Sequence, residues 1–492
     1  YVDGGRPMTP ATTLHIVMLL PLLAAIGILL FRNQPNVRDA VSLIAGTAQF
    51  LLLLNLYLNG PDQLAFTWLE ILPGLSLSFE IQPLGMLFGL IASLLWPVTI
   101  LYAIGYMRAH KEDNQTRFYL FFAIAIAAVM GIAFAQNLFT LFIYYEIVTL
   151  GTYPLVTHAG TDKARQGGRT YLTILLGTSI VFFIPAIAGT WLYAGTLDFQ
   201  AGGVFGEEMS PVLLSVLLAL FVFGIGKAAV VPFHRWLPSA MVAPTPVSAL
   251  LHAVAVVKAG VFTLIKVCIF IFGAETLKIL PITDYLLYLV AFGILMASLV
   301  AMRQDNLKAR LAYSTVSQLG YISLGVLLAT ESGIVGSALH IAMHAFGKIT
   351  LFFCAGAILV AVHKSEISQM RGLARQMPFT MAAFFIGSLS IIGLPPTGGM
   401  WSKWYLMLGA LEAEMLVLMV VLMVSSLLNI AYLLSIPVRA FFPGNAEESA
   451  GSVAIKEAPL PSLLAIGFTS LACIALFFWP NIFLELAQAL IE

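Results

Sequence analysis

Gly224-Ile-Gly-Lys-Ala-Ala-Val-Val-Pro232 sets a lysine among glycines and a proline in the middle of an apolar run. The run is long enough to cross a bilayer, yet proline removes a backbone donor and glycine loosens the turn. Interrupted backbone at membrane depth is tolerated only where it is buried in protein or lines a water-filled cavity. The stretch therefore predicts a membrane helix broken around Lys227. Composition agrees: of 492 residues, 60% are hydrophobic and 10% charged, with mean hydropathy +0.96. Soluble domains carry about 25% charge, so the class is an all-α polytopic membrane protein. Long apolar runs, not short alternating segments, set aside a β-barrel. The net charge is zero and no basic run occurs, so nucleic acid is not an expected partner. Cys268, Cys354 and Cys473 are scattered through apolar stretches without a CxxC pair and read as small buried side chains.

Working outward, apolar runs of about 20 residues give fourteen spans: 12–31, 40–59, 82–106, 117–135, 137–157, 170–195, 212–232, 245–272, 283–302, 311–330, 333–362, 378–409, 414–440 and 461–488. The longest connection is expected around Pro443 to Pro461, under twenty residues, too short for a soluble domain. The odd-numbered loops hold seventeen basic residues, the even-numbered loops one, Lys278, and the N-terminal tail Arg6. The positive-inside rule then puts the odd loops in the cytoplasm and both termini outside, in a bacterial inner membrane. The first span, Thr12 to Phe31, has neither a basic leader nor a small-residue cleavage site and reads as retained. Met8 offers a native start, which would make Tyr1 to Pro7 an appended remnant.

Five lysines remain inside spans: Lys227, Lys258, Lys266, Lys348 and Lys403. Among acids, Glu146 in Phe142-Ile-Tyr-Tyr-Glu-Ile-Val148 alone sits well inside one. A charge at the helix centre costs about 2.5–3.5 kcal/mol on insertion scales, so each needs a partner, a wet cavity or a function. Five lysines cannot all be neutralised by one carboxylate. A buried lysine changes its proton affinity readily, and lysines poised between charged and neutral can relay protons. Lys403 follows Gly393-Leu-Pro-Pro-Thr-Gly-Gly399, a second broken helix. Lys258 shares a span with His252, six residues away and about 9 Å along a regular helix. Lys266, nearer the span's end, is expected to snorkel to the interface. His340, His344 and Lys348 recur every four residues and form a stripe on one face. A histidine pair at that spacing can also hold a metal or haem, but needs further ligands. No cofactor or metal is expected, and proton relay is the favoured reading. His158, His234 and His363 fall at span ends and read as interfacial.

The two broken helices lie in spans seven and twelve, five apart. Five is odd, so copies of a five-helix unit insert with opposite topology, and paired broken helices point to an inverted-repeat transporter. The expected organisation is a tail (1–11), three helices (12–110), a first repeat of spans four to eight (111–272), a second of spans nine to thirteen (273–441), and a loop with the last helix (442–492). Glu146 would then correspond to the start of span ten, near Lys308 and Arg310.

Phe221 to Ala249, FVFGIGKAAVVPFHRWLPSAMVAPTPVSA, resembles the signature of the proton-translocating antiporter-like subunits, found in complex I and in Mrp-type multisubunit Na+/H+ antiporters. Asn306 to Gly320 (NLKARLAYSTVSQLG), His344 to Ala357 and Gly393 to Trp404 (GLPPTGGMWSKW) extend the resemblance over most of the chain. It implies a fourteen-helix core, two inverted five-helix repeats and a hydrophilic axis of Glu146, Lys227, Lys258 and Lys403. His252, His344 and Lys348 match positions that connect half-channels. The absence of a long lateral helix and a lysine at 403, where the complex I subunit of similar size has glutamate, make the Mrp D type the nearest. His252 beside Lys258 is closer to the A type. The implied function is a secondary ion transporter subunit, not an enzyme, moving H+ and exchanging it for Na+ or K+ with other membrane subunits. A redox-driven, hydrogenase-linked or bicarbonate-uptake complex is the alternative.

Overall fold

The computed structural model describes residues 9–61, 64–206, 208–442 and 454–491, and the backbone alone at His252. The expectations for Tyr1 to Met8, and for most of the connection from Pro443 to Pro461, lie outside the described residues. Among those described, ten helices are long and apolar enough to cross a bilayer. In chain order they are α1 (Pro10–Leu30), α2 (Pro35–Asn59), α3 (Pro83–Ala109), α4 (Gln115–Ala133), α5 (Leu138–Val156), α6 (Asp162–Ala194), α9 (Pro281–Arg303), α11 (Glu331–Val362), α13 (Leu416–Phe441) and α14 (Leu460–Phe478).

The other four spans depart from a plain apolar helix for identifiable reasons. In α10 (Leu307–Leu327) the apolar pattern is diluted by Lys308, Arg310, Ser314, Thr315, Ser317 and Gln318. In α7 the helix Pro211–Gly224 stops at the glycines and continues as a single tight turn, Gly226–Ala228, carrying Lys227. In α8, Thr245–Ala249 runs through a wide turn, Leu250–Val254, and resumes as Val256–Val267 after Ala255 at φ −99°, ψ −80°. In α12, the arms Pro378–Ile392 and Gly399–Glu412 are separated at Gly393, which adopts φ +87°. The α8 break was not expected, and it falls between His252 and Lys258. The 9 Å spacing of a regular helix therefore does not apply there.

Both expected breaks have their backbone satisfied by neighbours, as burial demands. At α7 the Trp236 indole donates to the Gly226 carbonyl at 3.0 Å, and the Lys227 amide donates to the Tyr145 hydroxyl at 3.2 Å. At α12 the Gly398 amide donates to the Cys473 carbonyl of α14 at 2.8 Å, and the Trp401 indole to the Phe477 carbonyl at 2.9 Å. A Cβ on Gly260 would stand 2.3 Å from the Lys227 carbonyl carbon, so α8 packs directly on the lysine turn.

The longest connection is the one between α2 and α3, which folds into a hairpin of β1 (Ala65–Leu72) and β2 (Leu75–Glu80). No strand was expected there. The hairpin anchors the start of α5: the Ser78 amide donates to Thr140 Oγ1 at 3.0 Å, and Asn137 Nδ2 donates to the Ser76 carbonyl at 3.0 Å.

The two repeats show themselves in matching hydrogen bonds at the ends of α5 and α10. Asn137 caps α5 by accepting from the Thr140 amide, and Asn306 caps α10 by accepting from the Ala309 amide. The following residues, Leu138 and Leu307, donate to the Leu197 and Ser365 carbonyls, each at 2.9 Å. The Phe199 and Ile367 amides return to the Gln136 and Asp305 carbonyls. The first set joins even-numbered loops and the second odd-numbered ones, so they lie at opposite ends of the bundle. Counting from the caps, Glu146 corresponds to Thr315, deep in α10, and not to Lys308 or Arg310 near its start.

Candidate functional site

The site follows from where the breaks hold their lysines. Lys227 is buried on its turn, and its ammonium donates to the Tyr145 carbonyl at 2.8 Å and to Thr149 Oγ1 at 2.6 Å. It also lies 3.1 Å from the centre of the Tyr145 ring. Glu146, the next residue on α5, points elsewhere: Oε1 accepts from Ser179 Oγ of α6 at 2.5 Å. Ser179 opens the widened turn Ser179–Phe183, which sets its hydroxyl toward α5. No described ion pair joins Glu146 to Lys227. Glu146 is half-buried and neighbours Leu150, which is 56% exposed, so it sits at the flank of the bundle and not in its core.

The next residues of the row lie close together in the centre. Lys258 Nζ of α8 lies 2.7 Å from His344 Nδ1 of α11. The rings of His344 and His340 are 5.7 Å apart. His340 Nε2 is 3.0 Å from Gln318 Oε1 of α10, and its Nδ1 is 2.8 Å from Ser402 Oγ of α12. Ser402 is also placed to donate to the Gly399 carbonyl at 3.2 Å. This arrangement suits both protonation states of His340. Protonated, the ring donates to Gln318 and to Ser402, whose own proton goes to Gly399. Neutral, with its proton on Nε2, the ring accepts at Nδ1 once the Ser402 hydroxyl turns away from Gly399.

Lys403, adjacent to Ser402, donates to Ser426 Oγ of α13 at 3.2 Å and lies 4.6 Å from the centre of the Tyr321 ring, which stacks on His340. Lys348 donates to the Leu311 carbonyl of α10 at 3.1 Å. The structure thus gathers Lys258, His344, His340 and Lys403 into one row, with Lys348 on the same helix as the histidines. It leaves Lys227 and Glu146 at the far end, each on its own partners. The His252 side chain lies outside the described residues.

Several participants escaped the sequence reading. Ser402, Gln318, Tyr321, Ser426 and Ser179 carry no charge, and hydroxyls are common in spanning helices. Lys266, expected to snorkel, is buried, bonded to Gln82 Oε1 and 4.3 Å from the centre of the Phe199 ring. The amine is held inside by Gln82 and by the faces of Phe199 and Phe270 rather than extended outward. His158, expected at the interface, is 5% exposed. Arg38 and Asp39 pair inside the fold at 2.8 Å, with Arg108 2.6 Å from the same carboxylate.

The model of the family described as NADH:quinone oxidoreductase/Mrp antiporter, TM, matches residues 135–429. NADH-quinone oxidoreductase subunit N of Desulforudis audaxviator (strain MP104C) is 35% identical over 367 residues, covering 74% of this chain and 71% of that protein. The A-type subunit of the Na(+)/H(+) antiporter of Alkalihalophilus pseudofirmus is 29% identical over 457 residues, which are 85% of this chain. The chain spans about half, 54%, of the length of that relative. Its fold is similar to a chain of the Mrp complex from Dietzia sp. DQ12-45-1b, with TM-score 0.82 and 21% identity, covering 96% of this chain and 97% of that one. With the family's region spanning both broken helices and the whole lysine–histidine row, this multi-pass membrane chain belongs to the NADH:quinone oxidoreductase/Mrp antiporter transmembrane family.

Proposed function

We propose that the chain is the proton-translocating subunit of a multisubunit monovalent cation/proton antiporter of the D type, moving H+ along Glu146, Lys227, Lys258, His252, His344, His340, Lys348 and Lys403. The observation that carries this reading is the row itself: an ammonium 2.7 Å from one imidazole, followed by a second imidazole with both nitrogens on polar partners. Lys258 and His344 exchange a proton directly, and His340, exchanging a proton with Ser402 through Nδ1, continues the row toward Lys403. A lysine in contact with His344 also speaks against a cationic metal on the histidine pair. In this reading the transport units are residues 111–272 and 273–441, and the chain is a secondary transporter subunit, not an enzyme. It works beside other membrane subunits in a bacterial inner membrane, with both termini outside and Na+ or K+ as the exchanged ion. Lys403 supports the D type.

The experiment is Lys403→Ala in vesicles holding the assembled complex. Cation-dependent proton flux should fall to background with complex levels unchanged. Normal flux at normal protein level would make the lysine incidental and sink the reading. A second reading, the same row driven by a quinone-reducing complex, is favoured by the 35% identity to a quinone oxidoreductase relative. Iron–sulfur absorption in the complex that co-purifies with this chain would select it over the antiporter.

A further inference from the structure

A second titratable cluster lies outside the row, where the loop between α3 and α4 meets the end of α5. Glu112 of that loop has its two carboxylate oxygens 3.8 Å from His110 Nε2 and 3.9 Å from His158 Nε2. The His158 side chain is 2% exposed and that of Glu112 19%, so the carboxylate stands between solvent and the interior. Asp113 adjoins it in the loop, Arg117 of α4 donates to the His158 carbonyl at 2.8 Å, and Lys308 of α10 is close enough to act on the Glu112 charge. Burial pushes the Glu112 carboxyl up, aided by Asp113 and opposed by His110 and Lys308. Burial and Arg117 push the His158 imidazole down. The two proton affinities approach each other, as a hand-off requires.

The cluster leads inward. Lys308 donates to the Ala243 carbonyl, in the connection between the two broken spans α7 and α8, at 2.5 Å. Three residues along α10, a rise of about 4.5 Å, the Leu311 carbonyl accepts from Lys348. Lys348 in turn lies one helical turn from His344 on α11.

We propose that Glu112, His110, His158 and Lys308 form a proton-collecting site on the face of the basic loops, which loads Lys348 and through it the pair Lys258–His344. Glu112 takes a proton from solvent, shares it with His110 and His158 on its two oxygens, and gives it up to neutral Lys308. From Lys308 the proton passes inward through water to neutral Lys348, and each donor is left ready to be refilled. The inference rests on the row being the transport path.

The test uses vesicles holding the whole complex, with pH varied on the basic-loop face. Glu112→Gln should lose proton uptake from that face, the loss growing as pH rises, and both added formate and Glu112→Asp should restore it. Uptake equal to wild type at every pH would overturn the inference. So would a loss that neither formate nor aspartate repairs, which would make Glu112 structural. Lys403→Ala in parallel separates the two claims: its inactivity beside a normal Glu112→Gln defeats the entry site alone, whereas its full activity defeats the row and the entry site with it.

Discussion

Lys227 is buried inside the bundle without a carboxylate in contact. A carbonyl, a hydroxyl and the face of Tyr145 surround the ammonium, the ring centre 3.1 Å away. Carbonyl dipoles and aromatic faces favour a cation, and a desolvated cation–π contact is worth about 2 kcal/mol. Glu146 is thereby left to Ser179, through a hydrogen bond to a charged group worth about 1.5–3 kcal/mol. Glutamine keeps an acceptor for that hydroxyl, so Glu146→Gln should assemble normally. It removes only the charge, and transport measured beside protein level should be lost. Glu146→Asp keeps the charge on a shorter stem and should retain part of the rate with a shifted pH profile. Wild-type transport by an assembled Gln variant would mean that no carboxylate charge is needed at this flank. At this scale the sequence was readable where charge met apolar context: Lys227, Lys258, Lys348 and Lys403 each stand out against a hydrophobic run. Ser402 and Gln318 did not, because their role depends on which imidazole they face, and that is set by the packing of α10 and α12 on α11.

The interruptions of the helices follow the same logic. Gly224 to Pro232 and Gly393 to Gly399 announced their breaks through glycine and proline. The break at Ala255 has neither signal beside it, whereas the widened turn at Ser179 lies between Gly177 and Pro185, and the proline removes a helix donor just beyond it, a cue the sequence carried and the reading passed over. The hairpin Ala65–Glu80 was hidden for another reason: its first strand is apolar on both faces, so the two-residue alternation that marks a strand is weak. α6 offers a check on how the elements cross the bilayer. It runs unbroken from Asp162 to Ala194 through its wide turn. Single cysteines at the exposed positions Lys163 and Ala201, just inside its start and beyond its end, should therefore react with impermeant reagents from opposite faces. Labelling of both from one face would remove α6 as a single crossing, and with it the alternation of all later helices.

Across the whole molecule, the two halves repeat their capping hydrogen bonds at opposite ends while their side chains diverge. Thr315 stands where the first half has Glu146, so the repeats share a scaffold but not a charge pattern. An asymmetric row on a symmetric scaffold gives each end a different terminus: a carboxylate on a hydroxyl at one, and Lys403 on Ser426 and Tyr321 at the other. The scaffold was legible because span count, loop charge and paired breaks are properties of the linear chain. The order of the row was not, since it depends on distances between α8, α11 and α12. Its centre is Lys258, the link between the first half and the histidines of α11. Lys258→Met removes the ammonium and keeps the volume, and replacing a buried charge by an apolar side chain of similar size need not destabilise the fold. The most direct measurement is proton flux under an imposed potential in vesicles holding the assembled Lys258→Met complex. Flux at the level of protein-free vesicles is the expected result. Flux at the wild-type rate would show that protons do not travel along this row.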